Sequence, residues 1–248
     1  MTTRLAIFSD LHANLPATQV VIEHIAAGGY DGVYCLGDIG GYAAEPNETQ
    51  AAVMRLGCQV VMGNYDESVG NNRDDCGCQY VKPFDIEMSD ISFRWTREHT
   101  SDKNKEWLRN LPREIRLEVE GRRVLLCHGS PRSTVEYLFA NRSDGFLRQF
   151  APGARDDAHA DVVVFGHTHV PYHRIVEGVH FVNSGSVGRP KDGDPRSGYC
   201  ALTIDGEQVT TEQLRLPYDV EATCSRLLAA GLPAYFADYL RTGGNITH

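Results

Sequence analysis

Six short apolar runs in this chain end in residues able to bind a metal ion. Leu5-Ala6-Ile7-Phe8 leads to Asp10 and His12, and Val33-Tyr34-Cys35-Leu36 to Asp38. Val60-Val61-Met62 leads to Asn64, Val124-Leu125-Leu126-Cys127 to His128, Val162-Val163-Val164-Phe165 to His167 and His169, and Phe181-Val182 to Asn183. Mixed carboxylate, amide and imidazole donors suit borderline divalent ions such as Mn²⁺, Fe²⁺ or Zn²⁺. The lack of thiolates among them argues against a closed structural zinc site. Buried strands read as such apolar runs, and ligands of open α/β sheets sit beyond the carboxyl ends of the strands. Residues distant in sequence are therefore expected to converge on one cavity.

Taken singly, each motif has a plainer reading. Asp10-Leu11-His12 would project a carboxylate and an imidazole to one side of an extended backbone, but a strand-end Asp capping the next turn explains it too. Gly37-Asp38 also marks ordinary turns. Gly166-His167-Thr168-His169 can aim two imidazoles into one cavity, with glycine permitting close backbone approach; the plain alternative is a pair of surface histidines. Gly63-Asn64-Tyr65-Asp66 and His128-Gly129 each add one ligand-type residue at the same topological position. Their joint occurrence at successive strand ends outweighs the plain reading of each.

The elements that must position these residues follow from local pattern. Asn14-Leu15-Pro16 resembles a helix start, Val20, Val21 and Ile25 give an apolar stripe, and Gly28-Gly29 ends it. Glu45 to Leu56 reads as a second helix closed by Gly57, making the first third a βαβαβ unit with a parallel sheet. Residues 67 to 113 break this rhythm and are expected to be a partly helical insertion around Trp95 and Trp107, near the mouth of the site. Ile115, Leu117 and Val119, turning at Gly121 into the Val124 run, predict a hairpin. Tyr172–Val176 with Val179–Val182, and Tyr199–Ile204 with Val209–Leu214, predict two more, expected in a second, largely antiparallel sheet. Asp219 caps a helix through Leu228, and Pro233 opens a last one ending at Gly243-Gly244. The whole reads as α/β, two sheets face to face with helices outside.

At 248 residues, with no low-complexity linker, residues 1–248 are read as a single domain with C-terminal helices over about 219–243. A formal net charge of −9 argues against non-specific nucleic-acid binding, which needs clustered Lys and Arg. It does not forbid an anionic substrate, because bound divalent cations reverse the local field. Met1-Thr2-Thr3-Arg4 runs straight into a strand and no apolar run approaches the ~20 residues of a membrane span, so a cytoplasmic protein is expected. Seven cysteines without regular spacing fit reduced thiols better than a disulfide framework. Oligomeric state leaves no signature in the sequence.

In their order, Asp-x-His, Gly-Asp, Gly-Asn-x-Asp, His-Gly and Gly-His-x-His, these blocks resemble the calcineurin-like metallophosphoesterases over about residues 5 to 190. The resemblance implies a four-layer α/β/β/α sandwich of two mixed sheets flanked by helices, with two divalent metal ions. By motif, Asp10, His12 and His169 would hold the first ion, Asn64, His128 and His167 the second, and Asp38 would bridge them. The implied activity is hydrolysis of a phosphate ester by a metal-bridging hydroxide, with Asp38, Asn64 and Tyr65 at the catalytic positions. A phosphodiester is the favoured substrate, and a protein or small-molecule phosphomonoester the alternative. A non-catalytic scaffold on the same fold is the rival of another class, against which the complete ligand set tells.

Tyr65 departs from the family pattern, since many members carry His after the Gly-Asn pair. A phenol with an unperturbed pKa of about 10 is a poorer neutral-pH acid, so Tyr65 is expected to orient substrate, and good leaving groups to turn over best. Arg132 and Arg189 are candidate phosphate contacts, with solvated loop arginines as the alternative. Asn183-Ser184-Gly185-Ser186 resembles a late Asn-Pro-Gly-Ser motif and is expected to support site geometry without ligating. Cys76-Gly77-Cys78 has neither zinc nor thioredoxin spacing and is read as a plain loop. His24, His99, His173 and His180 are read as structural.

Overall fold

The computed structural model describes residues 1–150 and 160–246. β1 (Thr2–Phe8) passes from an exposed start into four consecutive buried residues, as a strand covered on both faces must. Asn14 then caps α1 (Leu15–Ala27), its side chain accepting from the Ala17 N–H. β2 (Gly32–Cys35) returns parallel to β1, with Leu5 opposite Gly32. α2 (Pro46–Leu56) starts on a proline, whose missing N–H is not needed in a first turn, and closes at Gly57 with φ 70°. β3 (Gln59–Val60) is only two residues long and pairs parallel with β2.

Three helices fill the stretch that breaks this rhythm: α3 (Asn64–Gly70), α4 (Pro83–His99) carrying Trp95, and α5 (Asp102–Arg109) carrying Trp107. β4 (Glu114–Val119) and β5 (Arg122–Cys127) form an antiparallel hairpin. After α6 (Asp144–Leu147), β6 (Val162–Phe165) lies parallel to β5 and to β8 (Val179–Asn183), and β7 (Tyr172–Val176) pairs antiparallel with β8. β9 (Ser197–Asp205) and β10 (Gln208–Leu216) form the last hairpin. Asp219 caps α7 (Val220–Ala229), and α8 (Ala234–Arg241) follows Pro233.

The sheets run β10-β9-β1-β2-β3 and β4-β5-β6-β8-β7. One expectation needs correction. The β9–β10 hairpin does not enter a second, largely antiparallel sheet, because β9 pairs antiparallel with β1, Ala6 opposite Ala201. The hairpin therefore extends the first sheet, and both sheets are mixed. Its internal pairing is set by a local turn, but its outer partner is a tertiary choice: β9 is buried at seven of its nine positions, and the free edge of β1 lets it be covered on both faces.

Strand alternation explains how the sheets stack. Leu5 and Ile7 of β1, Val124 and Leu126 of β5, and Val162 and Val164 of β6 belong to one apolar cluster between the sheets. Their neighbours Ala6 and Phe8 pack outward with Val21, Leu227 and Phe236 of the helices. Leu125, Val163, Phe165 and Phe181 face the segment bearing Leu138, Leu147 and Phe150. A side-chain period of two thus gives each core strand one face per layer. Among the described residues, no helix is long and apolar enough to cross a membrane.

Candidate metal centre

The chain turns sharply where the strands end. Asp10, His12, Asp38, His167 and His169 all have φ between 49° and 63°, a left-handed conformation costing on the order of 1–3 kcal/mol per residue outside glycine. The extended backbone expected at Asp10-Leu11-His12 is therefore not what brings its two side chains together. A mesh of main-chain bonds holds the turns instead. Asp10 N–H donates to Gly37 O (2.9 Å), His12 N–H to Asp38 O (3.0 Å), Ala13 N–H to Ile39 O (2.7 Å) and Gly188 N–H to Asp10 O (2.9 Å). Gly166 is needed for close approach, since a Cβ there would overlap Ser9 Oγ and Asp10 Oδ2.

Two buried groups result. Asp10, His12 and His169 form one, and Asp38, His128 and His167 the other, each with candidate ligand atoms within 4.8 Å of one another. The pair His167 and His169 is divided between them. Asp38 lies between the groups, its Oδ2 3.9 Å from His12 Nε2 and its Oδ1 3.4 Å from His128 Nε2. Asn64 joins the second group, with Oδ1 3.1 Å from His128 Nε2.

The imidazole tautomers follow from their partners. His12 Nδ1 meets Gly40 O (3.0 Å), His169 Nδ1 meets Arg189 O (2.5 Å) and His128 Nδ1 meets Leu36 O (2.7 Å). A carbonyl only accepts, so each Nδ1 carries a proton, and the neutral rings of His12 and His169 turn an Nε2 lone pair inward. The Nε2 atoms of His12 and His169 face each other at 3.1 Å. Burial, then His169, pushes His12 down to about 3, and burial, then Lys191 and Arg189, holds His169 well below its usual value. Neither takes up a proton, so two lone pairs oppose one another. Asp10 Oδ1 and His167 Nε2 are buried without a hydrogen-bond partner, where buried polar atoms are normally paired. A divalent cation in each group would satisfy all of these atoms, and the N/O donor set suits Mn²⁺, Fe²⁺ or Zn²⁺.

His128 differs. Burial, the largest single influence, works to lower it, but the Asp38 charge and hydrogen bond, the Asp10 charge and the bond to Leu36 O together outweigh burial and raise it to about 9.

Supporting residues surround the groups, and some were not singled out from sequence. Asp66 accepts from Asp38 N–H (2.8 Å), Ile39 N–H (3.0 Å) and Gly63 N–H (2.9 Å), tying two ligand loops together; its place in the Gly-Asn-x-Asp block was its only signal. Asn183 donates to Gly166 O (2.7 Å) and Thr168 Oγ1 (3.0 Å), pinning the loop of His167 and His169, and it belongs to neither group. Lys191, brought down to about 7 by burial and by Arg189, bears electrostatically on Asp10, Asp38, His167 and His169. No motif marked it.

Tyr65 is 1% exposed, and its hydroxyl lies 3.3 Å from Ser92 Oγ of α4. Its N–H donates to Asp38 Oδ1 (2.8 Å) and its ring packs edge-on to His12. Arg189 is buried with its guanidinium 3.9 Å from the ring centroids of both Tyr42 and Tyr239, and its Nη1 has no partner. Arg132 pairs with Glu136, donates to Gln149 (2.8 Å) and stacks over Phe150, so its charge is answered within the chain. His24 bonds Tyr199, His99 stacks on Trp95, and His173 meets His180.

The plain loop read at Cys76-Gly77-Cys78 is corrected: Cys76 and Cys78 form a disulfide. Gly77, at φ 71°, turns the chain so that flanking side chains meet. The remaining five cysteines are free.

A family model described as the calcineurin-like phosphoesterase superfamily domain matches residues 3–207. An uncharacterized protein of Methanocaldococcus jannaschii is 28% identical over 256 residues, covering 96% of this chain and 98% of its own. Phosphodiesterase YfcE of Escherichia coli is 27% identical over 206 residues, covering 78% of this chain and 84% of its own. A solved metallophosphoesterase from Sphaerobacter thermophilus superposes with a TM-score of 0.74 at 27% identity, over 98% of this chain and 100% of that one.

Proposed function

Because the chain belongs to the calcineurin-like phosphoesterase superfamily, and is thereby a metal-dependent phosphoric ester hydrolase, we propose that Asp10, His12, Asp38, Asn64, His128, His167 and His169 hold two divalent cations, and that phosphodiesters are its preferred substrates. The observation that carries the metal assignment is the pair of unprotonated Nε2 atoms of His12 and His169 facing each other at 3.1 Å. When bound, two such ions supply Lewis-acid activation of solvent and neutralise phosphoryl oxygens.

The chain's own groups do the rest. Asp38 lies where one carboxylate can serve both groups, and Asp66 fixes the loops that carry Asp38 and Asn64. The charges of Arg189 and Lys191 bear on the first group and favour an anionic substrate. Burial pushes the Tyr65 phenol above its usual range, which makes it a weak proton donor. Leaving groups that depart as stable anions are thus favoured, and the likeness to a relative named a phosphodiesterase adds weight. Ser92 and Phe93 of α4 back Tyr65, so the stretch from 67 to 113 is where substrate choice is expected to be decided.

The test is hydrolysis of bis-p-nitrophenyl phosphate under Mn²⁺, expected to vanish on chelation and in Asp38→Asn. Full turnover in that variant would sink the assignment. Faster cleavage of p-nitrophenyl phosphate than of the diester would make the enzyme a phosphomonoesterase.

A further inference from the structure

Asn64 owes its orientation to the Cys76–Cys78 loop. Its Nδ2 donates to Cys76 O (2.9 Å) and to Cys78 Sγ (3.3 Å), which engages both amide hydrogens and leaves Oδ1 turned to His128 Nε2 at 3.1 Å. The same loop is fastened to itself by Cys78 N–H on Cys76 Sγ (3.4 Å), and it touches α4 through Cys76 Sγ and Ser89 Oγ (3.6 Å). Cys76 is buried, Cys78 is half-buried and Gly77 is exposed, so a reductant reaches the Cys78 sulfur first. The disulfide spans a sequence separation of 2. So small a ring restrains the unfolded chain little, and opening it is a local event.

From these contacts we propose that the Cys76–Cys78 disulfide is a redox-sensitive positioning device for Asn64, strengthening the second cation site when oxidised and loosening it when reduced. The inference rests on the proposed role of Asn64 at that site. In the reducing direction a thiolate of an external dithiol attacks Cys78 Sγ, the Sγ–Sγ bond breaks, and Cys76 leaves as a thiolate and takes up a proton. The donor's second thiol then displaces Cys78, so that the donor becomes a disulfide, the protein gains two thiols, and two electrons have passed. Asn64 thereby loses the fixed sulfur acceptor, and its amide is free to rotate away from His128. Partners of a metal ligand's far side commonly change metal affinity by about 10–100-fold.

The experiment is a calorimetric titration of Mn²⁺ into the full chain, stripped of metal and prepared either oxidised or reduced with a phosphine that is removed beforehand. Reduction is expected to add two titratable thiols and to weaken one of two Mn²⁺ equivalents roughly ten-fold, with recovery after treatment with glutathione disulfide. The double variant Cys76→Ser, Cys78→Ser is expected to bind like the reduced protein whether or not it has been treated with the phosphine. Equal Mn²⁺ affinity in the two states, or no gain of two thiols on reduction, overturns the inference while metal-dependent hydrolysis still stands. Absence of Mn²⁺ binding in either state overturns the underlying site assignment instead.

Discussion

Proton inventory separates the two groups residue by residue. His12, His167 and His169 are held below the usual histidine range, chiefly by burial, whereas Asp38 raises His128 to about 9. In the metal-free protein His128 is thus charged at neutral pH, and a cation must displace its Nε2 proton. Binding at the second group should release about one proton per ion at pH 7 and tighten as pH rises towards 9, while the first group releases almost none. Calorimetry in buffers of differing ionisation heat measures this, and equal release from both groups would contradict it. Tyr65→Phe removes the hydroxyl that bonds Ser92 and Tyr42, so it should cost about 1–2 kcal/mol of stability and leave turnover within roughly three-fold. A larger loss of kcat would place the Tyr65 hydroxyl in direct contact with substrate. Asp66→Ala strands three buried N–H donors and should lower unfolding free energy by about 3 kcal/mol or more, read from urea midpoints; a midpoint like that of the unmutated chain would rule out the clamp.

Elements deliver these side chains through turns rather than through the strands themselves, and this divides what the sequence discloses from what it hides. The apolar runs and helix stops are periodic, so β1, β2, β5 and β6 and the caps at Asn14, Gly57 and Asp219 are legible. The left-handed residues after the strands are not, because Asp and His carry no glycine-like marker of positive φ; the motif order locates them, but their backbone is left-handed where the Asp-x-His spacing predicts an extended one. The β9–β10 hairpin was legible as a hairpin, but its place beside β1 depends on burial, which a local pattern does not report. Asp66 and Lys191 stayed hidden because their partners are backbone groups or distant charges. Two glycines test the role of the turns. Gly166→Ala forces a Cβ into Ser9 and Asp10 and should reduce turnover by ~100-fold by displacing the histidine loop. Gly57→Ala, with φ 70° and open space around its Cβ, should cost about 1 kcal/mol and leave activity intact. Similar activity losses in the two variants would mean the turns do not control the site.

Across the whole molecule, each group draws on both sheets. Asp10 and His12 follow β1 and Asp38 follows β2 in the first sheet, while His128 follows β5, and His167 and His169 follow β6, in the second. Cations would therefore fasten the sandwich along one edge. Chelation should lower the melting temperature, and saturation at about 100 times Kd should add ~2.7 kcal/mol, which differential scanning calorimetry with and without Mn²⁺ would reveal; a melting temperature indifferent to metal would argue against such bridging. A further consequence concerns dissection of the chain. Severed between β3 and β4, the amino-terminal fragment would keep Asp10, His12, Asp38 and Asn64 and the carboxyl-terminal fragment all three remaining imidazoles, so neither piece could chelate as the intact protein does. Recovered catalysis on mixing would then serve as a built-in gauge of reassembly.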